Sequence, residues 1–255
     1  MSSTISIPIR AQDGARVEKG IRYWKVLDDG ISGRIFKVLV PITLVNIAIG
    51  LYMALFYAPT EKTMGDVQRI FYFHVPSAWI GFLAFFVVFF GSIMFLIRRD
   101  PKWDALARSS AEIGVVFTTL VLLTGPLWAK AAWGAYWVWD ARLTTTLVLW
   151  LVYIGYLMLR SAVDDTRRAR MAAVIGIVGF MDVPIIYLSV TWWRTQHPTL
   201  LVGETGGLAP GMTATLMVCL LSFTFLYAWL LLARVRLELK RDRLAALQEK
   251  EAHAW

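Results

Sequence analysis

The sequence predicts an all-α integral membrane protein: six transmembrane helices, both termini cytoplasmic, and a short amphipathic helix in the third, outward loop. Three observations carry that expectation. The 255 residues are 58% hydrophobic and only 17% charged, whereas a soluble domain carries roughly one-quarter charged residues. Six apolar runs, near 38–58, 77–97, 111–128, 145–159, 171–190 and 212–233, approach the ~20 residues that a helix needs to cross a hydrocarbon core of about 30 Å. The basic residues alternate along the chain. Of 26 Lys and Arg, 21 precede the first run, follow the last, or lie in the second and fourth connections. Excess Lys and Arg stay on the cytoplasmic side of short loops, so connections one, three and five face outward together. The net charge of +8 is thereby explained by topology, with no nucleic-acid partner required.

The elements follow in order. Residues 1–36 are polar and lack the apolar core of a signal peptide, so a retained cytoplasmic segment is expected. Its stretch 21–37 mixes aromatic and aliphatic residues with charge and reads as lying along the membrane surface. Residues 37–234 form the six-span domain, with an outward loop at 128–144, and 235–255 form a charged cytoplasmic tail in which His253 reads as solvated. The single cysteine, Cys219, sits inside the sixth run, which excludes a disulfide framework or a thiolate metal site within this chain. There is no Cys-x-x-Cys-His haem-attachment motif and no phosphate-binding P-loop, so any ATP hydrolysis belongs to a partner.

Each outward loop carries one distinctive feature. The first ends in FYFHVPSAW with His74, the third is WGAYWVWDARLT, and the fifth is WWRTQHPTL with His197. An interfacial aromatic belt is the plain explanation for any one tryptophan. A belt is roughly symmetric, however, and here Trp79, Trp128, Trp133, Trp137, Trp139, Trp192 and Trp193 gather on the outer side. On a short surface helix Trp133, Tyr136 and Trp137 share a face, because residues three and four apart are neighbours. That makes a flat π-rich platform, suited to a large planar ligand held by stacking and area burial. Imidazole is a good iron ligand, and haem iron takes axial donors on opposite faces of its ring. His74 and His197 each stand near a proline at a loop-to-helix junction, and each alone is equally a hydrogen-bonded interface histidine. Haem also brings two carboxylates, for which Arg69, Arg142 and Arg194 are the candidates. Asp140 is a helix cap or a holder of one of these arginines. Asp182, inside the fifth run beside Pro184, marks a path through the membrane or bonds backbone groups freed by the proline. Glu112 is explained by the dipole of the third span.

The run LTGPLWAKAAWGAYWVWDARLT resembles the tryptophan-rich WWD signature of haem-handling proteins, and specifically the CcmC family of cytochrome c maturation. RIFYFHVPSAW and FMDVPIIYLSVTWWRTQHP agree with the same family. The larger WWD types continue the motif as Trp-Asp-Pro-x-Glu, whereas this chain reads WDARLT. The resemblance implies a non-enzymatic protein that presents haem b at the periplasmic face of a bacterial inner membrane. It implies His74 and His197 as axial ligands, and the loop with Trp128, Trp133, Gly134, Tyr136, Trp137, Trp139 and Asp140 as the haem platform. It also implies delivery to the haem chaperone CcmE, with the CcmA/CcmB transporter and CcmD as further partners. Two other readings are a permease-like subunit that moves haem past Asp182 and a membrane b-type cytochrome. The latter would place its ligand histidines inside the spans, and the expected spans contain none.

Overall fold

The computed structural model describes residues 31–162, 165–193, 196–197 and 208–252. Residues 1–30, Arg194 and His253 lie outside them, so the surface segment and one candidate arginine have no structural account. Helix α1 (Ile31–Tyr52) continues through a π-helical turn (Met53–Tyr57), and a short 3-10 helix (Asp66–Ile70) leads into α2 (Phe71–Arg98). Then come α3 (Pro101–Trp133), α4 (Ala141–Ala162), α5 (Asp165–Phe180), α6 (Asp182–Trp192) and α7 (Pro210–Ala252). Six helical stretches are long and apolar enough to cross a membrane, with α5 and α6 together making the fifth. All six expected spans are present.

Most of the helices outrun the expected spans. At 33 residues α3 is about 50 Å long at 1.5 Å per residue, well beyond the hydrocarbon core. Its N-terminal end carries charges that pair across helices. Arg160 of α4 makes a two-pronged bond to Asp104, Nη1 to Oδ1 at 2.7 Å and Nη2 to Oδ2 at 2.6 Å. Glu112 accepts from Nε of Arg234 on α7 at 2.7 Å, and Arg108 pairs with Glu238. Glu112 is thus held by an ion pair and stands three turns inside its helix, so the helix-dipole explanation is replaced.

The central pair is α2 and α3, joined by a tight reversal. Arg99 adopts the left-handed conformation at φ 54°, Asp100 accepts from Lys102 N–H, and Pro101 opens α3 where its missing N–H is harmless. Close approach is possible because Gly114 faces Phe85: a Cβ there would meet the ring at 2.6 Å. Small residues at such crossings let helices gain packing where lipid supplies no hydrophobic drive. Phe85 in turn stacks on Tyr153 of α4 at 3.7 Å, and the Tyr153 hydroxyl donates to Gly176 O of α5. The outer helix α1 packs on α7, where Ser222 donates to Asn46 O at 2.8 Å.

Candidate functional site

At the end of the bundle where α2 begins and α3 ends, a cavity of about 390 Å³ opens between α2, α3, α4, α6 and α7. That volume falls within the range of about 300–1,000 Å³ usual for small-molecule sites. Its walls are almost wholly apolar and aromatic. His74, His197, Trp128, Trp133, Trp137 and Arg142 all line it. Residues far apart in the chain, from the start of α2, the end of α3 with the turn after it, the start of α4 and the stretch beyond α6, therefore converge, and the aromatic belt alone does not account for that convergence.

His74 is the fourth residue of α2, which begins six residues before the expected span at 77. The histidine stands at the N-terminal end of a helix, inside a membrane-spanning stretch, and not in a loop. This revises the expectation that no span carries a histidine. Its Nδ1 lies 2.9 Å from Thr124 Oγ1 on α3. His197 lies beyond the end of α6, with its ring against Trp133 at 5.2 Å, edge to face. Burial, reinforced by the Arg142 guanidinium, pushes its pKa down to about 4. It is therefore uncharged at neutral pH, and a neutral imidazole is the form that donates a lone pair to a metal. Its Nδ1 is buried and without a partner among the described residues.

The third loop holds no helix. Trp133 closes α3, Gly134 takes φ 78° and donates its N–H to Lys130 O, and residues 134–140 run irregularly to α4. A glycine in the left-handed region after the last turn is a helix stop. The short amphipathic helix expected there is therefore absent, and Tyr136 does not share the face of Trp133 and Trp137. Tyr136 instead sits over Lys130 Nζ at 5.4 Å, and it and Trp139 are exposed outward. The indole nitrogens of Trp128 and Trp137 are buried and without partners among the described residues. Unmatched donors on an aromatic wall suit a ligand with acceptor groups.

The charged candidates separate. Arg142 lines the cavity. Arg69 does not: its Nη1 donates to Ala54 O at 2.7 Å and Ala58 O at 3.3 Å, closing the π-helical turn, while its Nε donates to Asp66. Asp140 Oδ1 accepts from Leu143 N–H at 2.8 Å and caps α4, as one of its two readings held, while Oδ2 is buried and without a partner among the described residues. Asp182 opens α6 just after the break at Met181 and is not among the cavity-lining residues. Tyr187, Trp79 and Thr146 also line the cavity and were not foreseen. Only Trp79, counted on the outer side, carried a signal in the sequence.

These features define a multi-pass helical membrane protein with an aromatic cavity, lined by two histidines, at one end of the bundle. The family model described as "Heme exporter protein C" matches residues 27–250. "Heme exporter protein C" of Bradyrhizobium diazoefficiens is 41% identical over 225 residues, covering 87% of this chain and 85% of the relative. The protein of that name in Haemophilus influenzae is 34% identical, covering 83% of this chain and 87% of its own length. A "Putative cytochrome c biosynthesis ccmC-like mitochondrial protein" of Marchantia polymorpha is 33% identical, covering 76% and 84%. The chain belongs to the heme exporter protein C family.

Proposed function

We propose that this protein holds haem b between His74 and His197 at the periplasmic face of the inner membrane and presents it to the chaperone CcmE. Family membership makes it a haem-handling membrane component of cytochrome c biogenesis. The observation that carries the finer reading is the convergence of both histidines, four indoles and Arg142 on one apolar cavity. Haem is the cargo here. Its ring matches the aromatic walls, its iron the two imidazoles, and one of its carboxylates the Arg142 guanidinium. Exposed Trp139 and Tyr136 on the rim offer a surface for the chaperone, with the CcmA/CcmB transporter and CcmD acting in the same system. The cavity lining includes Ile186 and Tyr187 of α6 but not Asp182, so it lends no support to a route for haem past that carboxylate.

The test is the visible spectrum and haem content of the purified protein beside His74→Ala and His197→Ala. Either change is expected to abolish the six-coordinate bis-imidazole bands. Wild-type bands and haem content in both variants would refute the ligand assignment.

A further inference from the structure

The hydrogen bonds around His74 fix a property of that ring which no motif records. Thr124 Oγ1 lies 2.7 Å from Leu120 O, one turn back along α3, and 2.9 Å from His74 Nδ1. A carbonyl oxygen only accepts, and a hydroxyl has one proton to give. Given to Leu120 O, the nearer acceptor at 2.7 Å, that proton is not available to His74. The bond from His74 must therefore run the other way, with Nδ1–H donating to the threonine oxygen. The neutral ring then keeps its proton on Nδ1 and its lone pair on Nε2. The opposite tautomer would put a proton on Nε2 and close that nitrogen to iron.

The next residue reinforces the placement. A Cβ on Gly125 would stand 3.2 Å from His74 Cε1 and 3.9 Å from Nδ1, so α3 is bare where the ring edge rests. One helix thus seats the Nδ1–Cε1 edge through Thr124 and Gly125 and, one to two turns on, supplies Trp128 and Trp133 to the same cavity. His197 has no such support, since its Nδ1 is without a partner among the described residues.

We propose that Thr124 is a positioning residue for the haem iron, holding His74 as the Nδ1–H tautomer with Nε2 as the donor atom. The chain from Nε2 through Nδ1–H to the threonine hydroxyl and the Leu120 carbonyl also raises the basicity of the donor, as outer partners of ligating histidines do. The idea rests on the haem reading above, but its first test does not need haem.

Only three histidines are present, so selective nitrogen-15 labelling of the haem-free protein resolves them, with His74→Ala giving the assignment. The His74 signals are expected to show a protonated Nδ1 and an unprotonated Nε2. In Thr124→Val, which keeps the shape and removes the hydroxyl, that preference is lost, and in Thr124→Ser it returns. With haem added, Thr124→Val is expected to bind about tenfold more weakly, with a higher reduction potential because a less basic imidazole stabilises ferric iron less. Thr124→Ser restores both. A protonated Nε2 on His74 in the wild type overturns the proposal even if haem binds. An unchanged tautomer and an unchanged potential in folded Thr124→Val overturn it equally. Failure of the wild type to bind haem, with the tautomer as expected, instead strikes the functional reading.

Discussion

His197 and Gly134 show how single residues set the terms of the site. Burial and Arg142 hold the His197 imidazole uncharged down to about pH 4, whereas in the unfolded chain it takes up its proton near about pH 6.5. The sign follows from the lowered pKa: the unfolded state binds more protons in that window, so this residue favours the fold less as pH falls through it. Haem retention is accordingly expected to persist at about pH 5.5, where an unshifted histidine is mostly protonated. Loss of the bound spectrum with a midpoint near pH 6.5 would contradict the burial of His197. Gly134, at φ 78°, turns the chain out of α3 so that Trp137 can reach the cavity. Gly134→Ala is expected to destabilise the fold by about 1 kcal/mol through the left-handed backbone alone. Haem affinity measured in the same variant should fall as Trp137 shifts.

Among the elements, α3 links the two faces of the membrane. Its N-terminal third is fastened by Asp104 to Arg160, whose side chain is only 5% exposed. Replacing Asp104 by Ala leaves a buried guanidinium without its carboxylate, at a cost of about 3 kcal/mol in detergent unfolding. The double variant Asp104→Ala, Arg160→Met should recover most of that loss, and equal destabilisation of the two would show that the pair is not coupled. This helix also shows what was legible in the sequence. Hydropathy located the apolar middle of every span, because lipid demands it. It missed the ends, because Asp104 and Arg108 precede the apolar run that set the third span at 111, while in the fold they stand on α3 and meet partners on α4 and α7. The same limit placed His74 in a loop. The four-residue spacing of Trp133 and Trp137 read as helical, although Gly134 between them is the ordinary signal for a helix stop. Both indoles reach the cavity, by a turn and not by a helix face. Thr124 left no trace, since a lone threonine in an apolar run acquires its role only when α2 lays His74 beside it.

At the scale of the molecule, the proposal requires that the ends of α2, α3 and α6 share one compartment. The alternation of basic residues argues for it, and the convergence of their side chains on one cavity agrees. Labelling tests the orientation: Cys219 is buried, so a Cys219→Ala background permits single new cysteines at exposed sites. Tyr136→Cys should react with an impermeant maleimide on intact spheroplasts, and Leu244→Cys only after lysis. The reverse pattern would turn the site toward the cytoplasm. The central claim, however, is that two histidines grip one iron. Electron-nuclear double resonance on the ferric haem complex, with nitrogen-15 in histidine alone, reads this directly. Two histidine couplings are expected in the wild type, with one lost in each of His74→Ala and His197→Ala. Fewer than two couplings in the wild type, or both surviving in either variant, would contradict the account.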